Sequence, residues 1–476
     1  MKSVKSTSYP WRLIVLLGSN ILLAFTIMYS FSTYLPQLIH RLGYQWKEVG
    51  YQVGIINGIF FIAGGLGTLT LGLISATCSQ KYCLVVTSAL QGVSMVLLGF
   101  SNNLNMIYIV MFFIGSFSSG INCMKAILNK ICNENNQGNI ISWAFSGPLV
   151  VSLSLGPTLA GVFAFPADNY GNIFPKHSLF DVYPTLFVNL MYGLLLVGLS
   201  ITTWLILPAD KNIQGVVQSS IKYTSIDNDL DKSNEKEDLE PFKEEKQDSL
   251  LDAARGLKHK SYIPANITFG LFAMCQVGYT VALPLWLETP IELKGRNFDT
   301  KDVSMVWLVS GLAFTAINYL LLGRINQLLK PKTSFAFWLL ILIISVACIP
   351  ALGGITNKRL FFAACVTLHT IILSAIAGGY TSVLLFNQNS VPARSVPLAL
   401  SITQVVTRIL EAIGAFLIGA VYAWSLKFHE GTHGHGKHAT SFINSHFVFL
   451  CMSVAYILVY IPVIFIRKDI DQKQLD

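Results

Sequence analysis

Twelve stretches of about twenty mostly apolar residues constrain this chain more than any other feature. They fall near 12–35, 51–75, 82–100, 105–127, 140–165 and 182–208, and again near 263–287, 303–322, 333–352, 359–386, 397–424 and 444–466. A bilayer core of about 30 Å takes roughly 20 apolar residues per helix, so each stretch reads as a membrane span. Composition agrees: 53% of the 476 residues are hydrophobic and 12% charged, against about 25% charged in a soluble domain. Six spans lie on each side of residues 209–262, where twelve Asp/Glu and nine Lys/Arg fall between Asp210 and Lys260. So charged a segment buries too little apolar surface to offset the cost of ordering the chain and reads as a disordered linker. The expected fold is all-α and integral to the membrane: a bundle over 1–208, a cytosolic linker over 209–262 and a second bundle over 263–476.

Orientation follows from the basic residues. Placing both termini in the cytosol puts 22 Lys/Arg, the linker's included, on the cytosolic side and ten outside, as the positive-inside rule expects. No cleavable signal peptide is evident, because the first apolar run is too long and lacks a small-residue cleavage site. The net charge of +8 belongs to loops and implies no nucleic-acid partner. The expected setting is the lipid bilayer of a plasma or vacuolar/endomembrane. None of the eight cysteines falls in an outer loop, so no disulfide framework is implied.

Several motifs sit inside the spans. Gly64-Gly65-Leu66-Gly67 lets a neighbouring helix approach closely, and Gly156-Pro157-Thr158-Leu159-Ala160-Gly161 joins a helix-bending proline to two packing glycines. The latter resembles the fifth-span motif of major facilitator superfamily drug/proton exchangers. Phe165-Pro166-Ala167-Asp168-Asn169-Tyr170 after it is similar to the outer loop of the zinc-induced facilitator-like branch. Glu48-Val49-Gly50-Tyr51, Met124-Lys125-Ala126, Leu385-Phe386-Asn387 and Glu411-Ala412-Ile413-Gly414 match that branch in order. The resemblance implies a twelve-helix carrier with a midplane site between its halves, alternating access, proton antiport and efflux of a small organic solute: an organic anion, a drug-like molecule or a metal chelate.

The departures bear on mechanism. The superfamily's loop between the second and third spans normally carries an Asp-Arg pair after its first glycine; here only Gly72 and Lys81 of that motif remain, which points to a differently balanced gate. Met111 replaces the arginine expected in the fourth span. Gln276 and Val281 flank Gly278-Tyr279-Thr280 where the branch has acids in its seventh span, and Glu411 stands where it has a lysine. The lost acids make a pH-independent facilitator a serious rival, and a non-transporting sensor that kept the fold is a further reading.

Of thirteen carboxylates outside the linker, Glu411 is the one well inside a span, with Arg408 three residues before it on the same helix face. A charge at that depth costs about 2.5–3.5 kcal/mol on insertion scales and marks a pathway or a pair. Lys125 is the other candidate, as a contact to an anionic solute or an inner-gate group, with snorkelling to the interface as its plain alternative. Asn57, Gln276, Tyr279 and Gln404 are candidate cavity residues, for which helix–helix hydrogen bonding is the competing role. His429, His433, His435 and His438 form a short His-rich tract with the spacing of a zinc or copper site, whose deletion tests a metal-ion carrier. His429-Glu430-x-x-His433 also spells the zinc-protease string, but that chemistry needs a helix, and Gly431, Gly434 and Gly436 disfavour one. With no phosphate-cradling loop or nucleophile elbow, the chain is not expected to be an enzyme, and no cofactor is implied. The sequence leaves the oligomeric state open.

Overall fold

Backbone N–H and C=O groups facing lipid have no water to bond, so an apolar run there closes its hydrogen bonds within itself and becomes a helix. The computed structural model describes residues 10–75, 78–131, 140, 142–209, 261–318, 328–392, 395–433 and 443–466. Among the described residues there are helices and no strands, and eleven helices are long and apolar enough to cross a membrane. In chain order the spans are Trp11–Arg41, Trp46–Ser75, Gln80–Gly99, Leu104–Leu128, Trp143–Phe163 and Leu186–Ile206, then Tyr262–Glu288, Pro331–Gly354, Lys358–Asn389, Leu398–His429 and Phe447–Ile464. The remaining expected span, 303–322, begins as the helix Thr300–Ile317. Its far end lies outside the described residues, as do linker residues 210–260.

Polar caps set where helices start at the end of the bundle remote from the termini. Asn103 accepts from the Met106 N–H at 2.8 Å, Asp299 from the Asp302 N–H at 2.6 Å, and Asn357 from the Arg359 N–H at 3.0 Å. Each such cap stabilises its helix by about 1 kcal/mol. The connection after the fifth span is tied down by Arg41, whose guanidinium bonds Asp168 at 2.6 Å and Asp181 at 2.8 Å. The His177 backbone N–H and then Arg41 hold the Asp181 carboxyl below the usual carboxylate range.

At the same end of the bundle, His446 precedes the last span and packs edge-on against Trp286, with ring centroids 5.5 Å apart. Burial first, then the positive charges of Arg296 and Lys294, pushes its imidazole down to about 4. The fold thus favours the neutral ring, and its contribution to stability is full above the ordinary imidazole value near 6.5 and declines as pH falls toward 4. Thermal melts of His446→Phe are expected to lose part of the acid-side decline between about pH 6.5 and 4.5. An unchanged pH profile would show that the ring is not coupled to folding.

The two halves of the chain meet along matched pairs of helices. The second span packs along the eleventh, the fifth along the eighth, and the first touches the seventh. The apolar core shows how far the contact runs. One cluster of buried residues joins both halves and draws from the first half residues between about mid-span and the remote end, such as Phe31, Leu35, Val49, Val53 and Phe165. At the terminal end, Leu13, Leu17, Leu84 and Ile127 form a separate cluster within the first half, and Tyr262, Val391 and Ala399 another within the second. The halves are fused at the end remote from the termini and divided at the other.

Small residues make the fusion possible. A Cβ on Gly419 would run into the Gly50 carbonyl oxygen and stand 2.8 Å from the Gly54 Cα, closer than packed side chains allow. Between the fifth and eighth spans, a Cβ on Gly161 would strike the Ser304 hydroxyl and the Thr300 carbonyl. Gly156 meets Thr26 of the first span in the same way. The helix Gly147–Phe163 runs through Pro157, and the Pro157 carbonyl accepts from Ser304 Oγ at 3.0 Å.

Candidate functional site

At the level where the shared core ends, polar side chains from both halves converge. On the eleventh span Arg408 and Glu411 pair across one helical turn, Nη1 to Oε2 at 3.1 Å, with side chains 12% and 9% exposed. The spacing that made them neighbours in sequence produces this contact. Two further groups hold the guanidinium: Met28 Sδ of the first span at 3.6 Å and the Phe61 ring of the second, centroid 5.5 Å from Cζ. Gly65 lets Arg408 lie against the second span, since a Cβ there would sit 3.4 Å from the Arg408 Cβ.

Lys125 joins the cluster from the fourth span. Its ammonium lies 4.9 Å from the Phe145 ring centroid and within electrostatic range of Arg408; it is held inside the bundle beside an aromatic face. Tyr29 and Tyr380 lie within range of both Glu411 and Arg408, and Tyr380 donates to Gln276 Oε1 at 3.4 Å. Two cations and one carboxylate therefore face one region with aromatic walls, an excess of one positive charge.

The other expected cavity residues are distributed differently. Asn57 is buried and donates to the Val53 carbonyl of its own helix at 2.9 Å. Gln404 is half-buried one turn before Arg408 on the same helix. Tyr279 packs inside the second half, its hydroxyl 2.6 Å from His369 Nδ1. Both line a cavity with Trp286 and Cys365 that belongs to one half and lies away from the Arg408 cluster. Among the gate residues, Gly72 has open space where a Cβ would stand, and Lys81 lies over Trp204 of its own half, 5.5 Å from the ring centroid. Ala76 and Thr77, which stand where the superfamily has its Asp-Arg pair, and residues 323–327 of the equivalent loop after the eighth span lie outside the described residues.

The expected helix break at Gly431 does not occur: the eleventh helix runs Val396–His433, so the backbones of His429 and His433 sit one turn apart. Continuation of a long helix with many tertiary contacts outweighs the roughly 1 kcal/mol that one glycine costs. His429 is buried, 4% exposed, while His435 and His438 lie outside the described residues. Among the described residues no three His, Cys, Asp or Glu side chains gather as a metal would require.

One group escaped the sequence reading. Glu288 looked like a span-end carboxylate, yet it is 3% exposed and neither carboxyl oxygen has a hydrogen-bond partner. Its placement depends on three other helices, and no local signal carries that.

A family model described as Major Facilitator Superfamily matches residues 21–415. Among curated proteins of Arabidopsis thaliana, the chain is 22% identical over 386 residues to ZINC INDUCED FACILITATOR-LIKE 1, covering 80% of this chain and 77% of the relative. It is 23% identical over 411 residues to ZINC INDUCED FACILITATOR 1, covering 83% and 80%. The solved structure of a D-xylose–proton symporter aligns with a TM-score of 0.66 at 13% identity, covering 98% of this chain and all of the other.

Proposed function

Because this chain belongs to the Major Facilitator Superfamily, it moves a solute across a membrane, and we propose that the solute is a small organic anion that binds at Arg408 and Lys125. Excess positive charge at the seam between the halves carries this reading: an anion gains from two cations, and one carboxylate offsets only part of their field. The aromatic faces of Tyr29, Phe61, Phe145 and Tyr380 suit the apolar part of an organic solute. Rocking the bundles 1–208 and 263–476 about the seam would expose the site to each side in turn. A core shared at one end and divided at the other supports a state open toward the termini. With the termini cytosolic, as the basic-residue asymmetry suggests, that state faces the cytosol.

The Arg408–Glu411 pair supplies a coupling rule. An anion that took Arg408 would leave Glu411 without its counter-charge in apolar surroundings, where a carboxyl is better neutral. Solute and proton would then travel together, which favours co-transport over the exchange that the resemblance implies. The intact pair also favours a second reading, a facilitator in which Arg408 and Glu411 neutralise each other permanently and no proton moves.

Flux into proteoliposomes under an imposed pH gradient separates them, with organic anions as solutes and internal pH recorded. Co-transport predicts uptake that follows the proton gradient, with Glu411→Gln retaining flux but losing the pH dependence. Anion flux indifferent to the gradient in the wild type would leave the facilitator. Solute moving against the proton would restore the exchanger, and failure of every organic anion, with movement of neutral or cationic solutes, would sink the anion assignment.

A further inference from the structure

Glu288 closes the seventh span at the end where the halves are fused. Around it the seam is continuous. Thr300, at the start of the eighth span, donates its hydroxyl to the Gln37 side chain of the first span. Thr289, the next residue along, bonds the Tyr422 hydroxyl at 2.7 Å, and Tyr422 in turn lies against Gly50 of the second span. The Thr300 hydroxyl and the Gln37 backbone approach the Glu288 carboxyl without closing a hydrogen bond of ordinary geometry on it. Thr300 is committed to Gln37, and both carboxyl oxygens are left buried and unpartnered. The titratable groups facing it are Asp299, just before the eighth span, and Tyr422 on the eleventh. Neither offers a positive charge, and Asp299 adds a negative one.

An ionised carboxyl without a cation or a well-formed hydrogen bond is far costlier to bury than a neutral one. The packed seam therefore tolerates Glu288 only with its proton, whereas a parted seam would let water reach the carboxyl and favour ionisation. We propose that Glu288 is a proton-operated latch: the halves close at this end by taking a proton onto its carboxyl, and part there as that proton leaves. The proton is taken from and returned to the same side, since this part of the seam never faces the other membrane surface. Glu288 thus biases the gate by the pH of the compartment remote from the termini and carries no proton across. The latch rests on the alternating-access reading above, but its test needs no solute, so either can fail alone.

The test is hydrogen exchange of the full chain in phosphatidylcholine nanodiscs at pH 6 and 9, corrected for intrinsic exchange chemistry. In the wild type, peptides covering 34–41, 46–54, 285–289 and 415–426 are expected to lose about tenfold or more of their protection at the higher pH, while peptides covering 12–25 do not follow. Glu288→Gln is expected to keep its acid-level protection at both pH values, leaving the imidazoles at this end untouched. Should the Gln variant misfold, Glu288→Met, which needs no hydrogen bonds, takes its place. Equal wild-type protection at both pH values would overturn the latch, and so would a full pH response in the neutral variant. Repeating the pH 9 arm with sodium replaced by choline separates the sources of charge: protection that follows sodium would assign the site to a metal cation and overturn the proton.

Discussion

Arg408→Ala is expected to lose both stability and flux, and a second substitution is expected to restore only the first. Removing one member of a buried ion pair strands the other, at a cost of about 3–5 kcal/mol; here the stranded group is Glu411, 9% exposed and 3.1 Å from its partner. Replacing both members by apolar residues of similar volume is commonly neutral or stabilising. Arg408→Met with Glu411→Leu should therefore melt close to the wild type, read by tryptophan fluorescence in detergent. If Arg408 is an anion contact, the double variant still lacks the cation its solute needs, and organic-anion flux should stay at least about tenfold down, equivalent to about 1.4 kcal/mol of lost binding or transition-state energy. A double variant that transports like the wild type would reduce the pair to a structural device and move the solute site elsewhere.

The second large effect is expected at Gly419. No side chain fits between this position and Gly50 and Gly54 of the opposite half, so Gly419→Leu should hold the halves apart at the end remote from the termini. Two readouts should move together: anion flux should fall more than about tenfold, and that end should lose hydrogen-exchange protection, as expected when a packed interface cannot close. Gly198→Leu is the control, because a Cβ there meets nothing within 4 Å. Gly72 also has free space in the structure, but alternating access would bring the terminal ends together around it. Gly72→Leu should then impair flux while leaving the remote end protected, the reverse of Gly419→Leu. Loss of protection at the same end in both variants would count against two alternating gates.

Much of the fold can be read from residues 11–464 because the bilayer leaves few options. A long apolar run in lipid forms a helix whatever its neighbours do, and the expected spans therefore match observed helices to within a few residues. The eleventh is the exception, running nine residues past the expected 424 to His433, because the helix continues beyond the apolar run that lipid requires. Arg408 and Glu411 were also legible, since a charge deep in an apolar run needs a reason and helical spacing names its partner.

The sequence by itself determined which segments cross, how many spans flank the charged linker, and which ionisable pair lies deep within a span, because these follow from composition and helical period along one segment. Tertiary structure alone decided that Lys125 faces Phe145 and Arg408, that Gly161 and Gly419 form the seam, that Tyr279 bonds His369 within one half, and that Glu288 is sealed without a partner. Each of these depends on which helices from distant parts of the chain pack together, and burial and pairing there are set by neighbours that no local window contains.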